Sequence, residues 1–254
     1  MQREWMTITV HERIAEDTYQ MVLKGETAEA EIQPGQFLHI HIGDAFYLRR
    51  PISIADVDPV AGTMTILYKV LGDGTEALTK KQPGDRIDVL GPGGNGFPVD
   101  NLQIDRALLI GGGIGVPPLY YLARQLKAQG IEVTAVLGFQ NKESVFFEEA
   151  FSQIGDVHVT TNDGSYGHHG FVTDLLPGLK GTFDTYFSCG PSIMLKAVST
   201  ALKDESGYIS IEERMGCGIG ACFACVVPCA EEDEKGYRKI CSDGPVFRPE
   251  EVVL

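Results

Sequence analysis

Four cysteines within 25 residues constrain this chain more than any other feature of its sequence. Cys217, Cys222 and Cys225 are spaced x4 and x2 in the loop GCGIGACFAC, and Cys241 follows after fifteen intervening residues. Three thiolates from one tight loop, with a distant fourth to close the cage, is the spacing of plant-type [2Fe–2S] sites. Gly216, Gly218 and Gly220, with Ala221 and Ala224, keep the loop small, so that backbone N–H groups can turn toward the sulfurs. Structural zinc also takes four cysteines, but from two close pairs, and Cys241 has no close partner. Cys229 in place of Cys241 would give a compact run nearer a [4Fe–4S] loop. There, however, the proline follows the last cysteine, whereas Pro228 precedes Cys229. Cys229 is therefore expected to be a bystander.

The rest of the chain is long enough for two compact units and an appendix. It has 254 residues, 43% hydrophobic and 22% charged, which suffices for a real core. A formal charge of −14 argues against nucleic acid or an anionic membrane as the main partner, and otherwise serves solubility. Met1–Val10 carries Arg3 and Glu4 and no apolar core of a leader. No run approaches the roughly 18 apolar residues that span a bilayer. A cytoplasmic protein is expected, and in that reducing compartment clustered cysteines are metal ligands rather than disulfides.

Three blocks are expected: 1–100, 101–207 and 208–254. The first holds short strands, Met6–His11, Thr18–Leu23, Phe37–Ile42, Thr63–Val70 and Arg86–Leu90. Pro34-Gly35, Gly72-Asp73-Gly74 and Pro83-Gly84 separate them, and such spacing predicts an antiparallel β-barrel. The second alternates strands (Ala107–Ile110, Val133–Leu137, Val157–Thr161, Phe183–Ser188) with helices after Gly115, at Ser144–Phe151 and at Ser192–Lys203. That rhythm predicts a parallel α/β sheet. The third opens with a strand at Tyr208–Glu212 and becomes Gly- and Cys-rich. The expected class is thus multi-domain β plus α/β with a small C-terminal cluster domain.

Gly111-Gly112-Gly113-Ile114-Gly115 follows the strand ALLI and opens a helix, with Pro117-Pro118 in its first turn. Glycine lets backbone approach a pyrophosphate, and a helix start offers it free N–H groups. A glycine-rich turn also occurs for packing alone. Asp163, in the Thr161–Ser165 turn, would repel a 2′-phosphate and so favours NAD over NADP. Cys189-Gly190-Pro191 ends another strand, where parallel sheets bind ligands, although a lone cysteine is commonly just a small buried hydrophobe. His168-His169, between Gly167 and Gly170, has no further metal ligands nearby and is expected to be a solvated loop.

Taken together these parts resemble the ferredoxin–NADP reductase-like flavoproteins along the whole chain. The family's flavin motif, Arg-x-x-Ser, stands here as Arg50-Pro51-Ile52-Ser53. The resemblance implies an FAD barrel in which Arg50 neutralises the pyrophosphate and Ser53 hydrogen-bonds near the flavin N5. It also places Leu67-Tyr68-Lys69 along the isoalloxazine or ribityl chain, and Gly74-Thr75 as backbone donors to the pyrophosphate. On the nicotinamide side, Gly111–Gly115 and Cys189-Gly190-Pro191 match, with Cys189 near the nicotinamide C4. Ordinary strand packing for Tyr68 and a surface ion pair for Arg50 are the plainer readings. The strings GCGIGACFACVVP, ICSDGPVF and RRPISI resemble more narrowly the electron-transfer subunits of class B dihydroorotate dehydrogenases. One departure is Gly94, in GPGGNGF, where a bulkier apolar residue is expected.

That narrower resemblance implies a relay. A catalytic subunit, an FMN-containing barrel expected as two copies with two of this chain, oxidises dihydroorotate. Electrons then pass through the [2Fe–2S] cluster and FAD to NAD. A nicotinamide moves electrons in pairs, an iron–sulfur centre singly, and a flavin either way. The sequence holds no convincing general base for dihydroorotate. The competing readings are a stand-alone NADH:acceptor reductase serving an oxygenase or ferredoxin, and a zinc-stapled NAD-sensing module.

Overall fold

Residues 1–100, 102–229 and 235–254 are described by the computed structural model of the chain. Alternating apolar residues and glycine-marked turns fold the first block into strands β1 (Gln2–Ala15), β2 (Thr18–Lys24), β3 (Phe37–Ile40), β4 (Arg50–Asp58) and β5 (Thr63–Lys69). A short helix α1 (Asp73–Leu78) and strand β6 (Arg86–Gly93) complete it. They close in the order β1-β2-β5-β4-β3-β6, and β6 returns antiparallel to β1, which leaves no free edge. Met6, Ile8, Met21, Leu23, Ile54, Met64 and Ile66 point inward and are fully buried. Each contributes roughly 1.5–3 kcal/mol by leaving water.

The barrel strand absent from the sequence expectation is β4. Pro51 gives no ladder N–H, and a bulge between Ile54 and Asp56 breaks its alternation, so the run does not present a strand pattern. Its pairing with β3 sets Pro51 opposite His39 and Ser53 opposite Phe37.

The second block alternates as expected: β7 (Arg106–Gly112), α2 (Val116–Ala128), β8 (Glu132–Phe139), α3 (Glu148–Ser152), β9 (Asp156–Thr161), β10 (His168–His169), α4 (Leu176–Leu179), β11 (Thr185–Cys189) and α5 (Ser192–Ala201). Leu109 packs toward α2 on one face, and Leu108 and Ile110 toward α5 on the other, as in a parallel strand covered on both sides. The expected helix Ser144–Phe151 is corrected to a single tight turn followed by the five-residue α3. Phe146 packs edge-on to Phe139 while Phe147 turns to Tyr120, and serving both forces Phe147 to φ +64°. Tertiary packing overrides helix propensity there. His168 and His169, expected in a solvated loop, form an exposed edge strand paired with β9.

The last block is woven into this sheet. β12 (Gly207–Ser210), two residues shorter than expected at its C-terminal end, lies parallel to β11. A hairpin of β13 (Val226–Pro228) and β14 (Tyr237–Lys239) follows, and β15 (Val246–Phe247) returns antiparallel to β12. The resulting order is β10-β9-β8-β7-β11-β12-β15. Among the described residues no helix is long and apolar enough to cross a membrane.

Gly94 now has a reason. At φ +77°, any Cβ there would run into the ring of Pro245 and stand 2.8 Å from the Gly244 carbonyl. Next to it, the Asn95 N–H donates to that carbonyl at 2.6 Å, and the Asn95 amide donates to the Ser242 and Asp243 carbonyls. The barrel thereby docks onto the cluster block. Gly94→Ala is expected to cost about 1–3 kcal/mol through overpacking and left-handed strain. Thermal unfolding would show it as a lower Tm, and hydrogen exchange as faster exchange at Ser242–Gly244; an unchanged Tm and exchange pattern would show that the loop simply yields.

Candidate functional site

A cleft of about 710 Å³ runs between β4, β5, the start of α1 and the segment after β12. Its charged end is built by Arg50. The guanidinium lies against Gly74 so closely that a Cβ there would stand 2.7 Å from Nη2, which makes glycine the fitting residue. Arg50 is also anchored to the Leu48 carbonyl at 2.6 Å. The first amides of α1 have no partner within the helix, so a forked cation and free N–H groups face one place. The Thr75 hydroxyl is used in shaping this turn, accepting from the Leu71 and Gly72 N–H groups, which leaves its backbone for a ligand. A pyrophosphate fits this cradle. Arg50→Ala is expected to lower FAD retention about 10- to 100-fold, the loss of one charge-assisted pair. Flavin fluorescence after gel filtration measures it, and unchanged occupancy would remove Arg50 from the site.

Along β5 the side chains divide. Leu67 is buried against the sheet side and Lys69 is half-buried on the cleft wall. The Tyr68 ring is stacked on Tyr19, and its hydroxyl lies 2.8 Å from His11 Nε2. Burial and the neighbouring Tyr19 push its phenol above the ordinary range. Tyr68 is thus occupied in barrel packing, and the surface it shows the cleft is largely its strand.

At the other end, the Ser53 Oγ donates to the Glu212 Oε1 at 3.5 Å. Glu212 meets solvent through the cleft and protein on its other sides. Burial, opposed by the Ser53 hydroxyl, pushes its carboxyl up to about 7. Behind it lies Cys189, fully buried, its thiol pushed well above the ordinary range by burial and then by the Glu212 charge. Residues 53 and 189, read separately from the sequence, are therefore joined by a residue the sequence analysis did not single out. A signal existed: Glu212 sits just past the C-terminal end of a parallel strand, where such sheets place ligands.

The glycine turn serves two purposes. Gly111, Gly112 and Gly115 pack directly on α2, Met194 and the Cys189 carbonyl, so those glycines are explained by close approach of backbone. Gly113, at φ +53°, has open space where a Cβ would be, so no packing neighbour explains it. Gly190 and Pro191 close against Gly112 from the turn after β11. Asp163 is exposed in the turn after β9. The Ser165 hydroxyl and N–H, at 2.6 and 2.9 Å, hold its carboxylate and pull it below the usual range.

The four cysteines are brought together by the β13–β14 hairpin. Val226 pairs with Lys239, and the Ile240 N–H donates to the Cys225 carbonyl at 2.9 Å, so Cys241 returns beside Cys225. The thiols form two side-by-side pairs, Cys217 with Cys222 and Cys225 with Cys241. Among the described residues no three His, Cys, Asp or Glu side chains close on one metal-ion position. Two thiol pairs match a two-iron centre better than a single tetrahedral zinc. Gly218 and Gly220, at φ +70° and +77°, turn the loop inward. The N–H groups of Ile219 and Cys222 then donate to Cys217 Sγ at 3.5 and 3.3 Å, and Gly220 N–H to Cys241 Sγ at 3.2 Å. Although burial opposes them, these donors bring Cys217 down to about 7. Burial and the adjacent Cys225 push Cys241 up to about 12. Cys229 lies at the far end of β13, roughly 13 Å of strand from Cys225, in a bridge to Val252.

Comparison with known proteins is consistent with both halves of this site. Residues 5–97 match the oxidoreductase FAD-binding domain, and residues 212–253 match the iron-sulfur cluster binding domain of dihydroorotate dehydrogenase B. A Geobacillus kaustophilus (strain HTA426) protein named dihydroorotate dehydrogenase B (NAD(+)), electron transfer subunit, is 51% identical over 257 residues, covering 99% of each chain. A Shouchella clausii (strain KSM-K16) protein of the same name is 49% identical, covering 98% of this chain and 97% of its own. The solved structure of an NADH-dependent reduced ferredoxin-NADP oxidoreductase, described for flavin-based electron bifurcation, superposes with a TM-score of 0.88. It is 33% identical and covers 98% of this chain and 90% of its own.

Proposed function

The chain belongs to the family of dihydroorotate dehydrogenase B (NAD(+)) electron transfer subunits, and from that premise we propose a relay between a dihydroorotate-oxidising partner and NAD. Its cofactors are FAD and an iron–sulfur cluster, with NAD(H) as substrate. Bound FAD supplies the exchange between single electrons and hydride. In this reading Arg50 and the start of α1 bind the pyrophosphate, and Ser53 and Glu212 hold a proton beside the flavin. Cys189 and the Gly111–Gly115 turn shape the nicotinamide side, and Asp163 selects NAD over NADP.

The observation that carries the proposal is the continuity of the three stations. Glu212 joins Ser53 of the flavin strand to Cys189 of the nucleotide sheet. Five positions further on is Cys217, the first cluster ligand, within about 18 Å even if the chain were fully extended. The partner is the catalytic subunit, read as an FMN-bearing barrel in a complex of two copies of each chain in the cytoplasm. Its docking face is the cluster rim, where Ile219 is 57% and Phe223 63% exposed beside the thiol cage. A stand-alone reductase is the less supported reading, because the relatives at about half identity carry the subunit's name over their full length.

An anaerobic NADH titration of the purified chain tests the relay, followed by visible absorption and low-temperature EPR. Bleaching of flavin with a reduced [2Fe–2S] signal is expected. Adding the catalytic subunit should then give dihydroorotate-dependent NADH formation. Flavin bleaching with no cluster signal would break the relay at its second station.

A further inference from the structure

Within the barrel wall, behind the cluster loop, sits a side chain with no assigned role. His39, on β3, is 0% exposed, and among the described residues neither ring nitrogen has a hydrogen-bond partner of good geometry. The backbone of Cys217 and of Arg49 lies beside the ring without closing a bond of good geometry. Nδ1 faces Gly218, so closely that a Cβ there would collide with it, and Gly218 stands at φ +70° between Cys217 and Ile219. The ring is therefore pressed onto the loop that carries the first cluster ligand.

Its placement is rigid. Arg49 Nη1 donates to the His39 carbonyl at 3.2 Å, and the Asp88 carboxylate grips the same guanidinium at 2.7 Å. Across the ladder His39 pairs with Pro51 of the flavin strand. An imidazole carries at least one N–H whether neutral or charged, and burying that donor without an acceptor is costly. Among the described residues the nearby Arg49 and Cys217 backbone does not supply one in good geometry. A cluster held by Cys217 would place electron-rich sulfur on the loop that this ring abuts, and hydrogen bonds to cluster sulfurs stabilise the reduced form.

We propose that His39 is a positioning residue for the iron–sulfur centre, donating its ring N–H to a sulfur of the centre that Cys217 helps to hold. The inference rests on the cluster-ligand assignment above. It gives the barrel a direct part in setting the cluster's potential, and it couples the flavin strand to the cluster loop through one side chain.

The test uses the intact chain with both cofactors. In an EPR-monitored redox titration, His39→Leu should lower the cluster's midpoint enough to change the reduced-to-oxidised ratio about tenfold at fixed poise, which is about 59 mV for one electron. The flavin midpoint should stay where it was, and His39→Gln, which keeps an N–H, should recover most of the loss. Pulsed EPR of the reduced wild type labelled with 15N-histidine should show a histidine nitrogen coupled to the cluster spin. This second measurement needs no variant and decides the matter if His39→Leu does not fold. A full cluster signal without histidine coupling, or an unmoved midpoint in His39→Leu, would overturn the proposal. Absence of any cluster signal in the wild type would instead overturn the ligand assignment, and this inference with it.

Discussion

Cys225→Ser is expected to yield a chain that still binds FAD but holds no iron and no labile sulfide. Cys225 is 2% exposed and fixed beside Cys241 by the Ile240 N–H, so its replacement removes one member of a thiol pair for which the described residues hold no nearby substitute thiol. Cys229, the nearest spare thiol in sequence, is turned away at the other end of the hairpin. A serine hydroxyl is a harder, much less acidic ligand than a thiol, and iron–sulfur assembly depends on thiolates. The flavin site should survive because Arg50, Ser53 and the α1 turn all belong to the barrel. Iron and sulfide analysis, with the EPR signal, should fall to background while flavin occupancy stays near that of the wild type. Cys229→Ser is the control and should retain its iron. A Cys225→Ser protein with full iron and sulfide would show that the cage is closed by other groups.

The cluster site was legible because metal chemistry writes itself into spacing. Three thiols in nine residues, spaced x4 and x2 with a distant fourth, have few other uses, and the hairpin that returns Cys241 adds only the reason the distant cysteine arrives. The parallel sheet was legible for a similar reason, through its alternation of apolar strands and helices. What was not legible depends on pairing across long stretches of chain. β4 escaped because a proline and a bulge spoil its pattern, although its neighbours complete the ladder. The Ser144–Phe151 helix failed because two adjacent phenylalanines answer to different parts of the core. Glu212 escaped because a glutamate after a strand is ordinary until Ser53, 159 positions away, is found beside it. The sequence treats Gly94 as an oddity, and the structure as a docking point, since its meaning lies in Pro245.

Glu212→Gln is the change expected to separate proton movement from hydride movement. Burial lifts the Glu212 carboxyl to about 7, so near neutrality it exists in both forms and can exchange a proton through the Ser53 hydroxyl. A hydride from NADH carries its own hydrogen, whereas electrons arriving singly from the cluster bring none and need a proton source beside the flavin. Glutamine keeps the shape and a hydrogen bond to Ser53 but cannot give up a proton on demand. Flash photoreduction of the cluster should therefore show flavin reduction slowed about a hundredfold. Stopped-flow reduction by NADH should change far less. The wild-type single-electron rate should fall as pH rises through about 7, as the carboxyl loses its proton, and the variant should lack that inflection. Stability offers an independent check with a fixed sign. A carboxyl whose folded pKa lies above its ordinary 4.5 binds more protons folded than unfolded, so its contribution is greatest below that value and is lost as pH rises toward 7. FAD-free wild type should thus lose Tm between about pH 5 and 8 relative to Glu212→Gln, whose uncharged side chain has no such slope. An inflection near 7 that persists in the variant would assign the titration to another group. Flattening of the Tm profile without any kinetic change would leave Glu212 a cleft-wall carboxyl of the fold, outside the proton path.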